Sequence, residues 1–174
     1  MRAVVVYESV YGNTHAVAEA IGKGIGAADP SGEVQVVPVG EATPDVIAAA
    51  ELVVVGGPTH ARGMTRAMSR TGAVEKAKEQ GREEILDPDA AGEGLREWFD
   101  AMGKAPGTRA TAFDTHGEPA LLAGGAAHGI GKRLRKHGFT LVTEPKGFVV
   151  EGMEGPMRDG ELDRAEAWGR SLLQ

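Results

Sequence analysis

Ser9, Gly12, Asn13 and Thr14 place short hydroxyl and amide side chains around one glycine, within Tyr7-Glu8-Ser9-Val10-Tyr11-Gly12-Asn13-Thr14. The group lies where an apolar run ends and a helical periodicity begins. Such a junction makes an anion cradle: glycine turns the backbone without a Cβ clash, hydroxyls donate hydrogen bonds, and the free N–H groups of the helix's first turn point at the same spot. The same residues can also serve only to cap their helix. The sequence contains no cysteine. That excludes a thiolate nucleophile, a disulfide and a Cys-ligated iron–sulfur centre, so redox chemistry needs an organic cofactor or a non-Cys metal site. Other spacings carry less. Gly125 to Lys132 has Ala126 where a P-loop needs glycine and Arg133 where it needs a hydroxyl. Gly22, Gly24 and Gly26 fall at the end of a helix instead of after a strand, which excludes a dinucleotide fingerprint. His15, His60, His116, His128 and His137 show no His-x-x-x-His spacing, so no metal site is expected, and His128 and His137 read as solvated helix residues. No catalytic acid, base or nucleophile stands out.

The elements that must position this loop are legible as alternation. Ala3 to Tyr7 is an unbroken β-favouring run, the pattern of a strand covered on both faces in a parallel sheet. Val17, Ala20, Ile21, Gly24 and Ile25 then recur at helical spacing, closed by Asp29-Pro30-Ser31-Gly32. Val34 to Val39 is followed by Thr43-Pro44, a cap with proline at the first helical position, and by Val46, Ile47 and Ala50. Leu52 to Val55 leads into Gly56-Gly57-Pro58. Ala110 to Phe113 precedes a helix across Ala126, Ala127, Ile130 and Leu134; Phe139 to Val142 and Phe148 to Val150 precede one across Leu162, Ala165, Trp168 and Leu172. Five strands alternating with helices predict an α/β doubly wound parallel sheet. Met64 to about Gly94 is less regular and reads as an elaborated third crossover inside a single domain, 1–174, before Leu95, Trp98, Phe99 and Met102 restore a helical stripe. Trp98 and Phe99 are expected in the core. Apolar residues at 41% and charged residues at 25% are near the globular average, which argues against disorder. No apolar run reaches bilayer length and the amino terminus enters a strand directly, so a soluble cytoplasmic protein is expected. A formal charge of −6 argues against nucleic acid and anionic membranes as partners.

Ser9-Val10-Tyr11-Gly12-Asn13-Thr14, directly after the first strand, resembles the phosphate loop of the flavodoxin family. The form with Tyr before Gly is also similar to the flavodoxin-type protoporphyrinogen dehydrogenases. The resemblance implies a flavodoxin-like sheet of order 2-1-3-4-5 with helices on both faces. FMN would lie at the switch point between strands 1 and 3, a placement for which flavodoxin itself is the standard illustration. It implies that Ser9, Val10, Tyr11, Gly12, Asn13 and Thr14 surround the phosphate, that Pro58, Thr59, His60, Ala61, Arg62 and Gly63 lie along one side of the ring, and that Asp114, Thr115, His116 and Gly117 form the remaining loop. One feature departs from the family. Flavodoxins frame the ring with Trp or Tyr, and neither of the latter two loops has one, which reduces a stacking contribution of about 1 to 3 kcal/mol. The function implied is electron transfer with a redox partner protein or a small-molecule acceptor. The alternatives are an FMN-dependent oxidoreductase acting on a quinone or porphyrinogen-like molecule, and a cofactor-free interaction module. Two expectations concern charge. Arg62, Arg66 and Arg70 form a basic stripe if the chain is helical from Arg62, and His60, Arg62 and His116, with Asp114 the main nearby acid, raise the flavin's reduction potential.

Overall fold

Alternate residues of each apolar run feed opposite faces of the sheet, and that two-sided demand for cover organises the molecule. The computed structural model describes residues 1–118 and 125–174. The strands are β1 (Arg2–Tyr7), β2 (Glu33–Pro38), β3 (Leu52–His60), β4 (Gly63–Met64), β5 (Arg109–His116), β6 (Thr140–Leu141) and β7 (Lys146–Val149). The helices are α1 (Asn13–Ala28), α2 (Pro44–Ala48), α3 (Ala67–Glu79), α4 (Leu95–Ala101), α5 (Ala126–Lys136) and α6 (Glu161–Ser171). On one face Val4, Val6, Val53, Val55, Ala110 and Ala112 meet Trp98 and Phe99 of α4 and Ile130 and Leu134 of α5. On the other, Ala3, Val5, Leu52, Val54 and Phe113 meet Val17 and Ile21 of α1 and Ala165 and Trp168 of α6. Trp98 and Phe99 are core residues, as their spacing implies.

The sheet runs β2-β1-β3-β5-β6, with β7 also on β5. Its long pairings are parallel, so the expected order 2-1-3-4-5 is realised. The fifth strand is split: β6 and β7 pair with the two ends of β5, and Pro145, which has no N–H to give a ladder, lies between them. Thr43 caps α2 as expected, its hydroxyl accepting from the Val46 N–H at 3.4 Å. Helices α1 and α6 cross with backbones touching. A Cβ on Gly24 would lie 2.0 Å from the Glu166 carbonyl oxygen, and one on Gly169 2.3 Å from that of Ile21.

Four expectations change. Strand β3 continues through Gly56-Gly57-Pro58 to His60, because β5 pairs with it as far as Pro58 opposite Thr115. A side chain at position 56 is excluded by the Phe113 ring, 2.1 Å from where its Cβ would stand. The irregular third crossover contains a thirteen-residue helix, α3, which has no continuous apolar face to announce it. The basic stripe does not form. Arg62 sits in a turn at φ 74°, Arg66 is extended, and only Arg70 is helical, with its side chain buried. His137 also differs from expectation: it stacks on Phe99 with centroids 5.7 Å apart, while His128 is exposed. Among the described residues, no helix is long and apolar enough to cross a membrane.

Candidate functional site

The carboxyl ends of β1, β3 and β5 open into one cleft of about 550 Å³. From the first loop, Ser9, Val10, Tyr11, Asn13 and Thr14 line it. Gly12 makes the loop possible: it adopts φ 83° at the N-cap of α1, and its N–H donates to Ser9 Oγ at 3.1 Å. The sixteen-residue α1 has no acidic residue of its own in its first turn, and the Asp87 carboxylate beside that turn is held by His15 Nδ1 at 2.9 Å. Thr14 and Thr115, both buried, touch through their hydroxyls at 2.7 Å and tie the first loop to the end of β5. Whichever donates, the other retains a proton to give to a ligand.

From β3, Pro58, Thr59 and His60 line the cleft. Ala61 and Arg62 then form a two-residue reversal, φ 47° and 74°, into β4. Ala61, Arg62 and Gly63 therefore face an adjoining cavity and are not part of the cleft lining. From β5 come Thr115, His116 and Gly117, joined by Glu118. Asp114 lies underneath. Its Oδ2 accepts from Thr59 Oγ1 at 3.0 Å and from the Ala127 N–H at 2.9 Å, while Thr59 Oγ1 accepts from the Ala126 N–H at 2.8 Å. Two residues expected to touch a ligand thus cap α5 together. Asp114 Oδ1 meets His116 Nδ1 at 2.9 Å. Two glycines make room for the set: a Cβ on Gly125 would lie 2.5 Å from Asp114 Oδ2, and one on Gly147 2.5 Å from His116 Cε1.

The hydrogen bond to Asp114 raises the His116 pKa above its ordinary 6.5 against the opposing effect of burial, with Glu161 adding to the rise and Arg164 reducing it. A raised folded pKa means that the folded state favours the imidazolium. The stability it contributes is complete below about pH 6.5 and is lost as pH rises through the folded value. In NMR titrations His116 should therefore titrate later than free imidazole, and in Asp114→Asn it should titrate earlier than in wild type. An unchanged midpoint in the variant would remove Asp114 as the cause.

Two walls of the cleft come from outside the three loops named for the cofactor. Val150, Glu151, Gly152, Met153 and Arg158 come from the segment after β7, and Ser69, Arg70, Gly72, Ala73 and Lys76 from α3. The first had a usable signal, because the Gly152-Met153-Glu154-Gly155-Pro156 cluster follows the carboxyl end of a strand, where open α/β sheets bind ligands. The second belongs to the long third crossover, whose length makes it a candidate substrate wall in the oxidoreductase alternative, although its helix was not legible. Asn13 fastens the first wall, donating from Nδ2 to the Glu154 carbonyl at 3.0 Å, and Arg82 bonds the Glu154 carboxylate at 2.9 Å. The one aromatic residue among the cleft-lining residues, histidines aside, is Tyr11.

The family model described as Flavodoxin matches residues 5–168. Solved structures agree over nearly the whole chain. An archaeal flavodoxin is 26% identical with a TM-score of 0.66, covering 99% of this chain and 96% of its own. Flavodoxin 1 from Bacillus cereus, solved in its oxidised form, is 16% identical with a TM-score of 0.68, covering 99% and 97%. A WrbA-like flavodoxin from Agrobacterium tumefaciens is 18% identical with a TM-score of 0.56, covering 98% and 94%. No curated relative matches significantly. The match from the first strand to the last helix, on a sheet whose strand ends converge on one anion-ready cleft, establishes that the chain belongs to the flavodoxin family.

Proposed function

We propose that this chain binds FMN in the cleft and exchanges electrons through it with a redox partner protein or a small-molecule acceptor. The observation that carries the reading is the convergence at the start of α1. There a helix N-terminus without acids of its own, the Ser9 hydroxyl and the Thr14–Thr115 pair surround one end of a cleft of ligand size. The residues fit the group. Hydroxyls and N–H groups suit a phosphate, and Lys76 on the α3 wall suits its charge, whereas Arg70 and Arg158 on the same walls are paired with Glu97 and Glu118. Pro58, Thr59 and His60 on one side, with Thr115, His116 and Gly117 on the other, suit the edges of a flat ring. Tyr11, Val10 and Met153 cover it from water. FMN, when bound, supplies the electron chemistry, so the protein needs no acid, base or nucleophile of its own beyond those that position it.

A second reading, in which the same cofactor oxidises or reduces a quinone or porphyrinogen-like molecule, is favoured by the wall that α3 adds beside the ring-side residues. Purified protein should absorb between 350 and 500 nm and release a chromophore with the mass of FMN. A colourless protein that takes up no added FMN would refute both readings and leave a cofactor-free module. Turnover of quinones without a protein partner would select the second.

A further inference from the structure

Beside the cleft lies a second cavity, also about 550 Å³, which shares only His60 and Ser69 with the first. Arg62, Arg66 and Arg96 line it, and among the described residues no carboxylate does. The three come from three places in the chain: the tip of the β3–β4 hairpin, the N-cap of α3, and α4. Arg96 is pre-positioned, its Nε donating to the Thr65 carbonyl at 2.9 Å and its Nη2 to that of Met64 at 3.1 Å. Arg66 is held by its backbone, whose N–H donates to Ser69 Oγ at 3.0 Å. Arg62 occupies the second position of a two-residue reversal with both φ angles positive, where Asn-Gly is the favoured pair. Retaining a long cationic side chain at a position that favours glycine indicates that the side chain is used.

Among the described residues most of the other arginines are ion-paired; Arg109 and Arg135 are not, but they lie outside this cavity. Arg70 has Glu97 at 3.0 Å, Arg82 has Glu154 at 2.9 Å and Arg133 has Asp100 at 3.0 Å, yet among the described residues none of Arg62, Arg66 and Arg96 is ion-paired. The chain carries a net −6, so a concave cluster of unpaired guanidinium groups runs against its overall charge. Guanidinium forks bind phosphate and carboxylate groups in bidentate fashion.

We propose that this cavity holds the phosphate or carboxylate group of a small-molecule redox reactant, whose electron-exchanging part reaches the cleft past His60. The assignment of the reactant rests on the flavin reading above; the anion site itself does not. Inorganic pyrophosphate and, separately, tricarballylate serve as probes, titrated by calorimetry into the protein with and without saturating FMN. One equivalent of at least one probe should bind with FMN present, and the probe that binds more tightly identifies the anion type. Arg62→Gln and Arg96→Gln should each weaken it tenfold or more, and Arg62→Lys less. Arg135→Gln, at an exposed arginine that lines neither cavity, should leave it unchanged. No saturable binding of either probe, or binding indifferent to the arginine substitutions in variants with wild-type circular dichroism, overturns the proposal. Probe binding that depends on these arginines in a protein that takes up no FMN keeps the anion site and refutes its link to a flavin.

Discussion

Replacing Arg70 with methionine should lower the unfolding free energy by about 3 to 5 kcal/mol, the cost of leaving a buried charge without its counter-charge. Glu8 and Arg70 are each buried. The Glu8 carboxylate accepts from the Leu95 N–H at 2.8 Å and from the Thr65 hydroxyl, with Arg70 Nη1 at 4.0 Å. Arg70 Nη1 in turn donates to Thr65 Oγ1 at 3.1 Å, and Nη2 to Glu97 Oε2 at 3.0 Å. One network thus joins the end of β1, the segment after β4, and helices α3 and α4. It stands one residue before Ser9, so it also anchors the anion loop. Urea denaturation gives the measurement, and the double substitution Glu8→Gln with Arg70→Met should recover part of the loss by removing the stranded charge. A single variant with the wild-type midpoint and slope would mean that Glu8 does not need Arg70.

Ser9→Ala combined with Thr14→Ala should weaken FMN binding by about 1 to 3 kcal/mol, the scale of hydrogen bonds to a charged acceptor, which is about 5- to 150-fold in affinity. Ser9 acts twice, since its oxygen also holds the Gly12 N–H. Thr115→Ala should reproduce part of the Thr14 effect without adding fully to it, because the two hydroxyls touch. Riboflavin, which lacks the phosphate, should bind wild type and variant alike in the same fluorescence titration. An equal loss for riboflavin would mean that the substitutions disturb the cleft as a whole.

The parallel sheet was legible because strands buried on both faces must be apolar at every position: Val4, Val5 and Val6 divide between two cores, and so do Val53, Val54 and Val55. The turn before α1 was legible because Gly12 and its hydroxyl neighbours are local to it. Helix α3 was not. Its residues are mostly exposed, and its buried face consists of Arg70, Val74 and Ala77, of which one is a charge whose carboxylate partner, Glu97, is distant in sequence. The same distance misplaced the arginines. Spacing alone put Arg62, Arg66 and Arg70 on one face, whereas the hairpin turn and the extended Arg66 send them to different cavities.

What the sequence determined by itself is therefore what short-range rules determine: strand and helix identity, the cap at Thr43 and the glycine turn before α1, while the strand order came from the family resemblance. Tertiary structure decided the rest. It drew Asp114 and Thr59 beneath the cleft to cap α5, brought the segment 150–158 and α3 in as walls, and turned Ala61, Arg62 and Gly63 outward. The caps and walls depend on which donor meets which acceptor between separate elements, and the outward turn on a hairpin reversal at residues that do not mark one, and a linear pattern of residue types carries no record of either until the sheet has closed.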